Sequence, residues 1–474
     1  MAGDGSSWQL RLTPESRNQI NIICLGRAVV PRNPINTINE QDAAILPPAG
    51  VSNRQAWYTV WLLAALYVVS WLDRGILALL AQPLAASLGL DDRQLALLLG
   101  LGFALVYAIG GVALGHFVDT RNRRTVVTIG VIIWSLATIL SAFSTNFEMI
   151  FLLRCGVALG EAVLMPAAIS LIADLFKPAQ RGLPVAFFTS IGSFMTIGAY
   201  ALGAAAIGLA EAVSSDIGLT TWRTTLIIVG LPGLLLALIF AFTAKIPTRS
   251  ISEALPAAEV SMAALIQYLK KRMRFMGPLL SLTGINCIYS LAIIIWLPTV
   301  LIREHGMNAS EAGYLLGLVG VPAALAGNFF WQWRGLRLYH RDPEKGILRT
   351  FVLPSLFAAP CYAAGLLSDS IVLQLSGFAV GMFMGSAFNV MTPIAIQSYT
   401  PTRMRARIVS LNFLIISVLG YGLGPLAAVE IGTWVAGEGQ GIRTGLITLS
   451  LISWPLLVIT TLAMVRNAGK PNEL

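Results

Sequence analysis

The stretch from Trp57 to Leu88 reads WYTVWLLAALYVVSWLDRGILALLAQPLAASL. It is long enough to cross the hydrocarbon core of a bilayer, about 30 Å, as a helix of about 20 residues. Its only charged residues are Asp73 and Arg74. A run of this length and polarity is typical of a transmembrane helix and atypical of soluble domains. The stretch therefore predicts a membrane protein.

The composition of the whole chain leads to the same prediction. Of its 474 residues, 56% are hydrophobic and 12% are charged, whereas soluble domains average about 25% charged residues. The mean hydropathy of +0.74 excludes a soluble globular protein. The four cysteines are scattered and the three histidines lie near predicted loops, so neither a disulfide framework nor a metal or nucleophilic site assembles. We expect no cofactor, no metal and no catalytic residue.

Apolar windows of membrane-spanning length recur along the chain. They are centred near residues 70, 105, 135, 162, 196, 233, 288, 321, 358, 385, 417 and 455. The sequence thus predicts an all-α, polytopic membrane protein with about 12 transmembrane helices.

The basic residues give the orientation of these helices. When alternate loops are assigned to one side, 21 lysines and arginines fall on that side and four on the other. The positive-inside rule then places both termini in the cytoplasm. The net charge of +9 is therefore a topology signal, and we expect no nucleic-acid partner. We expect a monomer in a bacterial inner membrane.

The chain also contains an internal repeat. Its longest basic loop, residues 245–274, separates six predicted spans from six others. Trp-Arg-Thr at 222–224, before the sixth span, is echoed 220 residues later by Ile-Arg-Thr at 442–444. Pro178 with Arg181 is echoed by Pro401 with Arg405, after the fourth and tenth spans. Two parallel six-helix halves are predicted.

These observations divide the chain into five segments. The predicted segments are an N-terminal cytoplasmic tail without fixed structure (1–55), a first six-helix bundle (56–244), a central cytoplasmic linker (245–275), a second bundle (276–466) and a cytoplasmic tail (467–474). For the first segment, a natural start nearer residue 50 is the alternative to a real tail.

Four charged residues fall inside the first half's spans. Asp73 and Arg74 lie near mid-membrane in the first span, and Arg154 and Glu161 share one face of the fourth. Each such charge costs about 2.5–3.5 kcal/mol without compensation. We predict that Arg74 pairs with Glu161, and that Arg154 binds an anionic substrate or reaches Asp73 through water. A purely structural polar cluster is the alternative.

The second half carries no charge near mid-depth. Asn286 and Tyr289 share a helix face, and Asn389 lies in the tenth span. These three are possible substrate-lining residues, although helix-to-helix hydrogen bonding explains them equally well. We interpret Trp296 and Pro298 as an interfacial anchor and a helix end.

The loop after the second span, residues 115–124, reads GHFVDTRNRR. It resembles the G-x-x-x-D-R-x-G-R-R signature of the major facilitator superfamily, with departures at two positions, 120 and 122. The resemblance implies two six-helix bundles that alternate access to a central site. It also implies a latch between the halves at the cytoplasmic end. The corresponding loop of the second half, residues 333–337, has no acidic residue to match the aspartate of the signature. The predicted latch residues are Gly115, Asp119, Arg123, Arg124 and Arg181.

Residues 72–182 resemble bacterial spinster-like members of that superfamily. The resemblance rests on Leu-Asp-Arg at 72–74 and on Arg154 followed by Gly-Glu-Ala at 160–162. It implies a secondary transporter of amphiphilic anions such as lysophospholipid or sphingoid-phosphate molecules. Asp73 and Glu161 would be its proton-linked acids.

Two alternatives stay open. Anion:cation symporters for small carboxylates, such as sugar acids or aromatic acids, have similar charges in the first and fourth helices. The charge-poor second half favours an amphiphile, because it supplies an apolar wall. A membrane-embedded enzyme is the remote alternative, and we expect that the protein is not an enzyme.

Overall fold

A computed structural model describes residues 51–246, 262–437 and 441–468. The predicted N-terminal tail up to residue 50, much of the central linker and the C-terminal residues from 469 lie outside these ranges. The side chains of residues 115–120, including the predicted latch residues Gly115 and Asp119, also lie outside the described part.

Twelve helices of the described chain are long and apolar enough to cross a membrane. The first six are α1 (Asn53–Leu79), α2 (Asp92–Gly111), α3 (Arg123–Ser141), α4 (Phe147–Leu175), α5 (Gly182–Ile217) and α6 (Thr221–Thr243). The last six are α7 (Met273–His305), α8 (Ala309–Arg341), α9 (Gly346–Leu367), α10 (Ile371–Tyr399), α11 (Thr402–Ala436) and α12 (Gly441–Arg466). Every predicted span centre falls inside one of these helices. The prediction of an all-α integral membrane protein is confirmed.

The interpretation of Trp296 and Pro298 was wrong. Helix α7 continues through Pro298 to His305. The Trp296 side chain is fully buried, and its Nε1 donates to the Pro425 carbonyl of α11 at 3.0 Å. Trp296 is therefore a packing residue of the second bundle, because its indole N–H finds a partner inside the protein instead of at the membrane surface.

The short loops set the helix starts through side-chain caps. Asp91 accepts from the Gln94 backbone N–H, and the Gln94 side chain accepts in turn from the Asp91 N–H. Asn308 and Glu311 form the same reciprocal box at the start of α8. Such boxes satisfy backbone donors that a helix start leaves free, and they fix the chain direction at the membrane surface.

The internal repeat is visible as repeated hydrogen bonds. Arg223 at the start of α6 donates to the Ala142 carbonyl at the end of α3, at 2.5 Å. Arg443 at the start of α12 donates to the Leu366 carbonyl at the end of α9, at 2.6 Å. The two arginines thus close the same helix end in each half. Charged donors at helix C-termini are favourable because the last carbonyls lack partners.

The second pair of repeated residues behaves in the same way. Arg181 Nε donates to the Phe176 carbonyl at 2.9 Å. Arg405 Nε donates to the Thr400 carbonyl at 3.0 Å. In both halves the arginine stabilises the turn that follows an even-numbered span. The repeated Pro and Arg residues therefore have the same structural role in each half.

The two bundles contact each other where glycines allow close helix crossings. We call the side of the loops after odd-numbered spans the predicted outer end. Toward that end, α8 crosses α5, and a Cβ on Gly317 would lie 2.6 Å from the Ala201 Cβ. A Cβ on Gly100 of α2 would lie 2.6 Å from the Tyr421 carbonyl oxygen of α11. Glycine is needed at both crossings because a side chain would separate the backbones.

Polar contacts also join the bundles at the predicted outer end. Arg303 at the end of α7 donates to the Asp92 carboxylate at 2.5 and 3.0 Å. Arg93 pairs with Glu430 of α11 at 2.8 Å. Neighbouring residues of opposite charge at the start of α2 therefore reach two different helices of the second bundle.

Exposed polar residues indicate where the space between the bundles lies. Asn389 and Gln397 of α10 are exposed, although both lie within a membrane span and toward the predicted cytoplasmic end. Amide side chains are unfavourable in hydrocarbon, so they indicate a water-filled space on this side. At the predicted outer end, by contrast, the close helix crossings and the ion pairs described above hold the two bundles together, so the structure is closed there.

Gly317→Leu should open this closed end. The added side chain would collide with Ala201, since a Cβ at position 317 would also lie 3.2 Å from the Ala201 Cα and N atoms, so the helices would separate. We expect spin labels at Ser215 and Ser370, exposed at the predicted outer ends of α5 and α10, to show a distance distribution shifted by several ångströms to larger values.

The matched control for this variant is Gly208→Leu. Gly208 lies in α5, the helix that α8 crosses at Gly317, but a Cβ at position 208 would have no neighbour within 4 Å. It should leave the distance distribution unchanged. An unchanged distribution in Gly317→Leu would contradict the assignment of this crossing to outer closure.

Candidate functional site

The structure brings the four predicted mid-membrane charges together between α1 and α4. Helix α4 is interrupted after Glu161, where a helical segment from Phe147 ends and a second segment begins at Leu164. Pro166 follows the interruption, and a proline weakens the helix on its N-terminal side. Glu161 thus sits at the end of a segment, facing α1.

The first ion pair is the one predicted from the sequence. Arg74 Nε donates to Glu161 Oε2 at 2.6 Å, and the Ser70 hydroxyl donates to the same oxygen at 2.9 Å. The other carboxylate oxygen, Glu161 Oε1, is buried and has no hydrogen-bond partner among the described residues. One oxygen of this acid is therefore fully engaged, while the other is left without a donor.

The second ion pair is direct, without the bridging water considered above. Arg154 Nη1 donates to Asp73 Oδ2 at 3.1 Å, and the Thr138 hydroxyl of α3 donates to Asp73 Oδ1 at 2.6 Å. Both side chains of the pair are only 4% exposed. Asp73 differs from Glu161 because both of its oxygens accept a hydrogen bond. Adjacent residues on a helix point about 100° apart, so Asp73 and Arg74 reach different partners.

Arg74 is the member of the cluster that reaches accessible space. Its side chain is 16% exposed, while that of Glu161 is fully buried. The guanidinium lies over the Phe103 ring at 5.0 Å and the Tyr107 ring at 4.6 Å, both from α2. Trp71 of α1 supplies a third ring at 5.3 Å. Arginine stacks well on aromatic faces, so an aromatic cage holds this cation without neutralising its charge.

Two more contacts extend the aromatic cage. The Arg154 guanidinium lies 4.5 Å from the Phe103 centroid, so that one ring separates the two arginines. From the second bundle, α11 contacts α2 next to Phe103, where the Ser417 hydroxyl donates to the Ala104 carbonyl at 3.4 Å. The cluster therefore faces the second bundle through Arg74 and aromatic rings.

The predicted residues of the second bundle are only partly engaged with one another. The Tyr289 hydroxyl donates to Asn286 Oδ1 at 3.0 Å, and both side chains are buried. A Cβ on Gly385 of α10 would lie 3.9 Å from Asn286 Oδ1. Asn389 lies four residues further along the same face of α10 and is exposed. Asn286 and Tyr289 therefore form a buried polar pair next to α10, and Asn389 is exposed one helical turn beyond Gly385 toward the predicted cytoplasmic end.

The described latch residues make their contacts inside the first bundle. Arg123 pairs with Asp174 of α4, and Arg124 donates to the carbonyls of Ala241 and Ala244 at the end of α6. Arg181 contacts its own loop. In this structure these arginines fix the cytoplasmic end of the first bundle, whereas a latch between the halves would need contacts with the second bundle.

Several residues around the charges were not predicted from the sequence. The sequence does not identify Ser70 and Thr138 as donors to the two acids, because serines and threonines are common in membrane helices. In addition, no spacing rule links α3 to α1. Asp174 was overlooked although it is an acid near the end of an apolar span. Phe103 and Tyr107 share one face of α2 at a four-residue spacing, which was the available signal for the aromatic cage.

No group of metal-ligating side chains occurs within the described ranges. The fold and site together define a multi-pass membrane protein in which two six-helix bundles enclose a charged, aromatic-lined centre, which is the architecture of a transporter. The sequence model of the Major Facilitator Superfamily matches residues 63–425, and the chain belongs to this family.

Relatives agree with this membership. An MFS-type efflux pump of Mycolicibacterium smegmatis is 28% identical over 78% of this chain and 83% of the relative. A probable galactarate/D-glucarate transporter of Bacillus subtilis is 26% identical over 59% of this chain, and the chain covers 64% of that relative. Spinster proteins of animals are also similar. The efflux pump and the probable galactarate/D-glucarate transporter are transporters by name. Membership of the same family makes this protein a transporter and does not support the enzyme alternative.

Solved structures give the same fold. The crystal structure of a bacterial homolog to the human lysosomal transporter Spinster, in an inward-facing and unoccupied conformation, superposes with a TM-score of 0.75. It is 23% identical, and the match covers 89% of this chain and all of that chain. The resemblance to spinster-like members is confirmed.

Proposed function

We propose that this protein is a proton-linked secondary transporter of an amphiphilic organic anion. The observation that carries the proposal is the Arg74 site: a partly exposed cation, paired with a buried acid and surrounded by aromatic rings. An arginine can bind a carboxylate or phosphate through two parallel hydrogen bonds. The rings and the second bundle, which carries no charge near mid-depth, supply apolar contact for the rest of an amphiphile.

The exchange of partners at Arg74 links binding to a proton. When the substrate anion binds the Arg74 guanidinium, Glu161 shares or loses its cation. A buried carboxylate without a cation is costly in its charged form, so Glu161 then takes up a proton. When the substrate leaves, Arg74 pairs again with Glu161 and the proton is released.

The assignment of Arg74 as the anion-binding residue differs from the role that the sequence predicted for Arg154. Arg154 is 4% exposed and directly paired with Asp73, so it cannot meet a substrate unless that pair breaks. Arg74 is four times more exposed. We propose that Arg154 positions Asp73, and that Arg74 contacts the substrate.

The orientation also belongs to this proposal. We propose that both termini are cytoplasmic, that the protein lies in a bacterial inner membrane, and that the open side of the structure is the cytoplasmic side. The excess of basic residues in the even-numbered loops supports this orientation.

A second substrate class has its own support. The similarity to a probable galactarate/D-glucarate transporter favours a small dicarboxylate, which would use Arg74 together with polar groups of the second bundle such as Asn286, Tyr289 and Asn389. The two classes differ in what the second bundle must supply: an apolar wall for an amphiphile, or several hydrogen bonds for a sugar acid.

Transport in proteoliposomes tests the proposed function. We expect uptake of a fluorescent lysophospholipid, or its counterflow against unlabelled lysophospholipid, to exceed that of protein-free vesicles and to respond to an imposed pH gradient. Uptake of galactarate or glucarate instead would select the second class. Transport of neither class would overturn both proposals.

Arg74→Ala should weaken substrate binding by about 30-fold or more, which corresponds to about 2 kcal/mol. Arg74→Lys keeps the charge but loses the planar fork, so its affinity should fall by less. Titration of the purified variants, monitored by thermal stabilisation, measures both effects.

Arg349→Ala is the matched control for this titration. Arg349 pairs with Asp342 at the predicted cytoplasmic end and is 55% exposed, so its loss should leave affinity unchanged. Equal affinity in wild type and folded Arg74→Ala would remove Arg74 from the substrate site.

A further inference from the structure

A groove separate from the charged cluster opens on the surface of the second bundle, between the start of α7 and the end of α12. Its volume is about 500 Å³, and it is lined by Arg274, Leu462, Ala463, Arg466 and Asn467. Arg274 is the second residue of α7 and Arg466 is the last of α12. The groove therefore lies at the level where these helices leave the membrane.

The groove carries two positive charges that the described protein does not neutralise. Arg274 and Arg466 are both exposed, and neither makes a hydrogen bond or ion pair within the described ranges. By contrast, Arg303, Arg349 and Arg443 each have an acidic partner. The two guanidiniums of the groove match the negative charge of a phosphate, and a guanidinium can bind a phosphate through two parallel hydrogen bonds.

An apolar face continues from the groove toward the membrane centre. Leu462 lines the groove and is 57% exposed, and Ile459 and Ile452 are 63% and 51% exposed. The spacing of three and then seven residues places all three on one side of α12. This face is the right shape for an acyl chain that lies along the helix.

From these features we propose that the groove binds an anionic phospholipid of the leaflet at the predicted cytoplasmic end. Arg274 and Arg466 hold the phosphate, and Leu462, Ile459 and Ile452 contact one acyl chain. A net-negative headgroup fits better than a zwitterionic one, because a positively charged amine would face two guanidiniums. Anionic lipids of the cytoplasmic leaflet are attracted to basic residues at helix ends.

Short-chain phosphatidylglycerol and phosphatidylcholine, titrated into the full-length protein in an uncharged detergent, test this site through thermal stabilisation. We expect phosphatidylglycerol to bind more tightly than phosphatidylcholine. Arg274→Gln/Arg466→Gln should weaken phosphatidylglycerol binding by about tenfold or more. The matched control, Lys270→Gln/Arg403→Gln, removes the same charge from exposed residues at the same end of the protein and should keep wild-type affinity.

Two further titrations distinguish this lipid site from a site for a free anion and from the proposed substrate site. Inorganic phosphate should not reproduce the stabilisation, and if it does, the site binds a free anion and the lipid proposal is wrong. The preference should persist in Arg74→Ala, so failure of the proposed substrate site leaves this test intact. Equal loss in the control pair, or no preference for phosphatidylglycerol in wild type, would also overturn the proposal.

Discussion

Arg154→Gln should lower the free energy of unfolding by about 3–5 kcal/mol, because it leaves the Asp73 carboxylate buried without its cation. The pair is 4% exposed on both sides and has a single supporting hydroxyl, from Thr138, on the other carboxylate oxygen. Denaturant unfolding of the purified protein in detergent, followed by tryptophan fluorescence, measures the loss.

Two comparisons show whether burial is the cause. Asp73→Asn/Arg154→Gln removes both charges and should recover most of the lost stability, since paired removal is far less costly than an orphaned charge. Arg93→Gln breaks the pair with Glu430, whose side chains are 55% and 45% exposed, and should cost at most about 1 kcal/mol. A loss below that value in Arg154→Gln would show that Asp73 does not depend on Arg154.

The fold was predictable because insertion into a membrane imposes strict requirements on short stretches of sequence. A span needs about 20 apolar residues, and its direction follows from basic residues in the loops. The repeat was visible for a similar reason. Arg223 and Arg443 donate to equivalent helix ends in the two halves. The short motifs that contain them, residues 222–224 and 442–444, are therefore similar in sequence.

The site was predictable only where charge made it conspicuous. Asp73, Arg74, Arg154 and Glu161 were found because charges in a span require compensation, and the Arg74–Glu161 pair followed from opposite signs at similar depth. The exposure of the Arg74 and Arg154 side chains to the space between the bundles could not be predicted in this way. Which arginine reaches the central space depends on how α1, α2 and α4 rotate against one another, and no local pattern in the sequence encodes that rotation.

Glu161 is the acid that we expect to carry the coupled proton, and the structure gives a reason that the sequence did not. Glu161 Oε1 is buried without a partner among the described residues, whereas both oxygens of Asp73 accept hydrogen bonds. A proton added to Glu161 Oε1 breaks no existing hydrogen bond, while Oε2 keeps the Ser70 hydroxyl. A proton added to Asp73 must go to an oxygen that already accepts from Thr138 or Arg154, and it weakens that hydrogen bond. Protonation at Glu161 is thus the smaller change.

Glu161→Gln should therefore separate exchange from accumulation. Glutamine resembles the protonated acid, so the variant should bind substrate and perform counterflow. Accumulation driven by a pH gradient should fall by about tenfold or more, because no proton is taken up or released, and transport should lose its dependence on pH. Asp73→Asn should have the smaller effect of the two on coupling, and Glu211→Gln, at an exposed acid near the predicted outer end of α5, should behave as wild type.

Proteoliposome transport with matched internal and external pH, and then with an imposed gradient, distinguishes these outcomes. A folded Glu161→Gln that loses counterflow as well would place Glu161 in substrate binding instead of coupling. Full gradient-driven accumulation in both Glu161→Gln and Asp73→Asn would mean that the cluster carries no coupled proton. The four charges would then serve only to pack α1 against α4, and Arg74 would hold a structural pair instead of a bond that the substrate exchanges.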